Sequence, residues 1–124
     1  MPRAILDETY IHTAIRSTVA DHQRVIVEQV IDAISRNEIV VVGMGFNPFS
    51  GKACKALDAI HHKYKYFEYG NYVSMWRERN ALKLWTGWPT FPMIFVKGTL
   101  IGGATDLQAL IRSGELKSMM QKQD

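Results

Sequence analysis

A single cysteine, Cys54, is the whole thiol complement of this 124-residue chain. One cysteine excludes an internal disulfide and a cysteine-based metal cluster held within one chain. Long apolar stretches are also missing. The longest uninterrupted run, Ile39-Val40-Val41-Val42, falls far short of the ~20 residues that span a bilayer. The opening segment turns acidic after only three apolar residues, Ala4-Ile5-Leu6, and does not read as a secretory signal. Charge of one sign is scarce: 15 Lys and Arg are interspersed with 12 Asp and Glu, leaving a net charge of +3. That mild bias suits an anionic small molecule such as a peptide with two carboxylates. It lacks the clustered basic face of a nucleic-acid binder. Linker tracts, repeats and low-complexity segments are absent, so no domain boundary is placed. With 47% hydrophobic and 22% charged residues the composition is that of an ordinary globular protein. The expectation is one soluble, cytoplasmic domain over residues 1–124, with an N-terminal helical extension (1–20) and a core (21–120).

The pattern of what is present is α/β. Asp7 is placed to cap a first helix through Tyr10, Ile11, Ala14 and Ile15, reaching Val19. Asp21 is placed to cap a second with Val25, Ile26, Val30 and Ile34 on its apolar side, stopped by Asn37. The β-branched run 39–42 reads as a strand buried on both faces. After Gly43-Met44-Gly45, Asn47-Pro48 opens a helix, Asn being a favoured cap and Pro a favoured first residue. Its expected stripe is Ala53, Ala56, Leu57 and Ile60, and His61-His62-Lys63 suits its negative end. A strand over 64–69, a helix over 73–85 stopped by Gly87, strands over 93–96 and 99–101, and a last helix capped by Thr105 or Asp106 and running on to the chain end complete the order β-α-β-α-β-β-α. This predicts a small mixed four-stranded sheet with helices on both faces. A ligand site is expected where strand ends meet helix N-termini.

Three segments converge there. Trp88-Pro89-Thr90-Phe91-Pro92 resembles the W-P-T-[FIV]-P motif of glutaredoxins, especially the single-cysteine subgroup. Ile101-Gly102-Gly103-Ala104-Thr105-Asp106 resembles their I-G-G-x-x-D motif, and Asn47-Pro48-Phe49-Ser50 stands in the place of C-G-F-S or C-P-Y-C. The helix 51–57 behind it follows the same pattern, and the resemblance spans residues 25–120. It implies a thioredoxin-like fold and a glutathione site. Pro92 would be the family's cis-proline, and Phe91 would offer its backbone N–H and C=O to the cysteinyl part of glutathione. Phe49 would line the groove, Thr105 and Asp106 would hold the γ-glutamyl end, and Arg79 would pair with the glycine carboxylate. Against this stand blander roles: Trp88 as core, Arg79 and Arg77 as solvated charges, Thr105 and Asp106 as helix caps. His61 and His62 point different ways on a helix without partners at i+3 or i+4, so no metal site is expected.

The chain departs from the family where the chemistry lies. Asn47 carries no thiolate to attack a mixed disulfide and is no ready iron ligand. A [2Fe–2S] cluster is therefore not expected as a cofactor, and no catalytic residue is assigned. The lysine the family keeps shortly before its cysteine is also missing from Gly43-Met44-Gly45-Phe46. Two coupled losses read as divergence of the site. Ser50 and Cys54 are weak substitutes: one lacks an evident base, the other lies two turns down the helix, about 10 Å from its tip. Three readings follow: a module binding glutathione or a thiol peptide, with output through a protein partner and without ordinary dithiol or monothiol reductase activity; a thiol–disulfide, electron-transfer or iron–sulfur trafficking protein working through Cys54 or a partner's cysteine; and an interaction domain docking through its N-terminal helix.

Overall fold

The computed structural model describes residues 2–71 and 73–121. A 3₁₀ turn at Glu8–Tyr10 leads to α1 (Arg16–Asp21), α2 (Arg24–Arg36), β1 (Ile39–Gly43), α3 (Pro48–Ala59) and β2 (Lys65–Glu68). Then come α4 (Trp76–Thr86), β3 (Met93–Val96), β4 (Thr99–Gly102), α5 (Ala104–Ser113) and α6 (Glu115–Gln121). The sheet order is β2-β1-β3-β4, with β1 and β2 parallel and the other two pairings antiparallel. This is a thioredoxin-like fold.

Alternation along the two inner strands divides the core. Val40, Val42, Met93 and Phe95 face α2 and α4, meeting Ile26, Val30, Ala33 and Leu82. Ile39, Val41, Ile94 and Val96 face α3, α5 and α6, meeting Ala53, Leu57, Leu107 and Leu116. Every residue of β1 and β3 is buried, as their inner position demands, while the edge strands β2 and β4 carry exposed residues. The β-branched run at 39–42 is thus explained: both of its faces are covered.

Several boundaries differ from expectation. The first helix does not run from Asp7. The Asp7 carboxylate accepts from the Thr9 N–H and hydroxyl, and His12 Nδ1 accepts from the Ala14 N–H. These local bonds compete with helix propagation. No apolar core supports the segment either, since Tyr10, Ile15 and Val19 are all exposed. Asp21 closes α1 instead of capping α2, its carboxylate paired with Arg24, and α2 opens from Gln23 in the left-handed region. Val25 is 82% exposed, because adjacent residues lie 100° apart and the core stripe is 26, 30 and 33. Ile60 is likewise exposed at the end of α3. The Asn71 side chain accepts from the Val73 N–H, and Met75 has φ +55°, so α4 begins at Trp76 and not at Val73. The last helix breaks at Gly114, which has φ +80°, and its expected continuation through 122–124 lies outside the described residues.

Candidate functional site

The parallel β1–β2 pair and the antiparallel β3 and β4 bring three loops to one end of the sheet: 43–48 entering α3, 87–92 entering β3, and 102–104 entering α5. The Gly45 N–H to Gly70 C=O bond (2.6 Å) ties the first of these to the loop after β2. Phe49, Trp88, Thr90, Phe91, Pro92, Gly103, Ala104, Thr105 and Asp106 line a groove of about 290 Å³. The Phe91–Pro92 peptide bond is cis.

Asn47 stands at the mouth of α3 in extended conformation. Its Oδ1 accepts from the Phe49 N–H (2.8 Å) and the Ser50 N–H (3.2 Å), the cap the sequence predicts. Its Nδ2 does something the sequence does not predict: it donates to the Phe91 carbonyl at 3.2 Å, across 44 residues of chain. The two ends of one carboxamide thus join the helix start to the loop before β3.

On the third loop the cap, expected at Thr105 or Asp106, lies two or three residues earlier. Gly103 is the N-cap of α5, Thr105 and Asp106 fall in its first turn, and the Asp106 carboxylate reaches back to accept from the Gly103 N–H (2.9 Å). Gly102 makes this possible with φ +113°, a conformation that L side chains rarely adopt.

Trp88 serves both roles considered for it, packing on the α2–α4 side of the core and lining the groove. Arg79 is not among the groove's lining residues. It is 8% exposed, and its Nη1 donates to the carbonyls of Tyr69 (2.9 Å) and Ser74. Arg79 holds the loop after β2. Ser50 is 2% exposed and accepts the Met44 N–H, filling the space over Gly43, so its hydroxyl is a packing and bonding element of the α3 entry.

Cys54 is half-buried farther along α3, in the α3–α5–α6 side of the core with Tyr64, Tyr66 and Ala56. Burial pushes its thiol up, the Asp58 carboxylate adds to the rise, and a hydrogen bond with Tyr64 only partly opposes them. A thiol held protonated is a poor nucleophile. Cys54 is therefore expected to react with a maleimide at pH 7 at least about tenfold more slowly in the folded protein than in denaturant. Its folded-state rate should go on climbing with pH beyond about 8.5, where that of an ordinary thiol begins to level off. Labelling at free-thiol speed in the native state would restore it as a nucleophile.

Two lysines that sequence reasoning passed over lie over rings of groove residues: Lys52 Nζ is 5.1 Å from the Phe49 ring centroid, and Lys83 Nζ 5.8 Å from that of Phe91. A helix signal was available for Lys52, three residues after Phe49 on α3; none was for Lys83, which only the fold brings to Phe91. A larger hollow of about 800 Å³ lies at the opposite end of the sheet, among Arg36, Glu38, Asp58, His61, His62 and Lys63. Its charges are mixed and none of the three loops reaches it. Among the described residues no three His, Cys, Asp or Glu side chains cluster as a metal site would require, and no helix is long and apolar enough to cross a membrane.

Comparison with known proteins agrees with this layout. The glutaredoxin family model matches residues 39–101, from β1 into β4. A glutaredoxin-like protein of Dictyostelium discoideum is 42% identical over 97 residues, covering 78% of this chain and 79% of its own. Glutaredoxin 4 of Buchnera aphidicola (from Schizaphis graminum) is 31% identical over 100 residues, covering 73% and 91%. Among solved structures, oxidised glutaredoxin 2 of Chlamydomonas reinhardtii superposes with a TM-score of 0.69 at 27% identity, covering 80% and 94%. Buckwheat glutaredoxin in a glutathione complex gives 0.71 at 23% identity, covering 81% and 91%, a likeness of fold. The matched segment carries the central strand, the α3 entry and the cis-proline loop, and with that much of the site-bearing framework shared, the chain belongs to the glutaredoxin family.

Proposed function

We propose that this chain is a glutaredoxin-related binding module that holds glutathione or another thiol peptide in the groove of Phe49, Phe91, Pro92, Thr105 and Asp106 and does not itself reduce disulfides. The observation that carries the reading is the contrast at one site. The groove, the cis-proline loop and the α5 N-terminus are present, while the side chain at the start of α3 is a carboxamide hydrogen-bonded at both its oxygen and its nitrogen. Thr105 and Asp106 bring the first-turn amides of α5, which suit a carboxylate. Lys52, over the Phe49 ring, adds positive charge beside the groove. Arg79 contributes by positioning the 69–75 loop.

An iron–sulfur cluster does not fit these residues. A cluster of this class is held by thiolates. Position 47 offers an amide, and the chain's one cysteine is half-buried two turns farther along α3. Output then passes through a protein partner, with ligand occupancy as the signal.

If sulfur is not read, blocking it should not matter. In a calorimetric titration, glutathione and S-methylglutathione are expected to bind with affinities within about twofold of each other, since neither can react and the recognised groups are shared. Both should slow hydrogen exchange at the Phe91 and Thr105 amides. No heat from either peptide, in this protein and in its Asn47→Ser variant, overturns the reading.

A further inference from the structure

Resting on that reading of the groove, we propose that Asn47 is a built-in occupant of it: its carboxamide takes the Phe91 carbonyl that a peptide ligand would use, so ligand binding requires this bridge to open. The side chain satisfies three groups at once. Oδ1 accepts two N–H donors on α3, and Nδ2 donates to the carbonyl preceding the cis-proline. The partners fix which end is oxygen and which is nitrogen, because two donors stand on one side and an acceptor on the other.

The residue type is specific to this double duty. A serine hydroxyl caps a helix but is too short to bridge onward to the carbonyl. An aspartate caps well but cannot donate, and would set its second oxygen against the Phe91 oxygen. An alanine does neither. Capping alone therefore does not demand asparagine; capping together with a donor aimed across the groove does. The bond is part-buried and Phe91 lines the groove, so breaking the bridge leaves its carbonyl in need of another donor at that place. A ligand N–H placed there meets that need, and the exchange of one partner for the other is the switch.

Asn47→Ser separates the two duties, keeping a cap oxygen while removing the bridge. Two readouts are taken. The first needs no ligand: the backbone carbonyl carbon resonance of Phe91 is compared in the parent, Asn47→Ser and Asn47→Asp, with Phe95 in the sheet as internal control. The bridge predicts that Phe91 moves in both variants and Phe95 in neither. An unmoved Phe91 resonance overturns the bridge. The second is calorimetry with S-methylglutathione. Loss of a competing internal hydrogen bond is expected to tighten binding to Asn47→Ser about five- to tenfold relative to the parent. Equal or weaker binding by the variant overturns the role as occupant. Binding by the variant alone supports it in its strongest form. Binding by neither, with Phe91 shifted, leaves the bridge standing and removes the glutathione reading. Asn47→Asp stands in if the serine variant melts too low for titration; it is read by the carbonyl resonance only, because its added charge would repel the ligand's carboxylates.

Discussion

Replacing Asn47 by cysteine is expected to install glutathione-dependent disulfide reductase activity in this chain. The fold has the means ready. Position 47 is the cap of the 12-residue helix α3, with the Phe49 and Ser50 N–H groups aimed at its side chain. The same donors and the positive end of the helix would stabilise a thiolate and lower its pKa. The introduced thiolate attacks the glutathionyl sulfur of a mixed disulfide held in the groove, forming a protein–glutathione disulfide and releasing the other thiolate. A second glutathione thiolate then attacks the glutathionyl sulfur, giving oxidised glutathione and regenerating the protein thiolate. Turnover followed by NADPH consumption through glutathione reductase should rise from the buffer background of the parent to at least about tenfold above that of equimolar free cysteine. The cost to stability is about 1 kcal/mol for loss of the asparagine cap and about 1 kcal/mol for loss of the bond to the Phe91 carbonyl. A folded Asn47→Cys variant whose new thiol titrates with a lowered pKa but shows no turnover would mean that the groove does not hold glutathione.

The second large effect belongs to Gly102. Its φ of +113° is foreign to residues with a side chain, and a Cβ built there would sit 2.4 Å from Asp106 Oδ2 and 2.7 Å from its carboxyl carbon. Gly102→Ala therefore combines backbone strain with displacement of the carboxylate that receives the Gly103 N–H. Strain of this kind costs about 1–3 kcal/mol and overpacking a comparable amount, so a loss of about 2–5 kcal/mol is expected. Thermal denaturation should show it as a drop of more than about 8 °C for a domain of this size. Because Asp106 lines the groove, ligand affinity should fall even below the melting transition. A variant melting within about 2 °C of the parent would show that the β4–α5 corner relaxes around the added methyl group.

These two positions stand at the entries to α3 and α5, the two helices whose first turns line the groove, and differ in kind. Gly102 is required by backbone geometry, whatever the groove binds. Asn47 is not required by the fold, since a serine or aspartate would also cap α3. A residue that the backbone leaves optional and that still commits both ends of its side chain to the site is where a distinct function would be written.

Local chemistry explains what was legible from the residues alone. The run 39–42 announced a strand covered on both faces. Asn47-Pro48 announced a helix start, and Gly87 a helix stop with φ +78°. Residues 93–96 announced the other inner strand. In each case a few adjacent residues bias the backbone, and the outcome follows whatever packs against them. The three motifs, taken in order, also brought the groove residues Phe49, Phe91, Pro92, Thr105 and Asp106 together before any coordinates. What escaped was set by partners distant in sequence or by competition too fine for periodicity. The N-terminal segment has helical spacing, but its apolar residues Tyr10, Ile15 and Val19 stay exposed, and Asp7 and His12 satisfy local amides first. Arg79 carries the charge of a ligand arginine, yet the fold places two carbonyls, those of Tyr69 and Ser74, within its reach. The sequence by itself determined the sheet, the family and the absence of a thiol at the head of α3. Only the tertiary structure decided that the asparagine there also reaches Phe91, because a hydrogen bond spanning 44 residues depends on where three loops are brought together, and no local pattern encodes that distance.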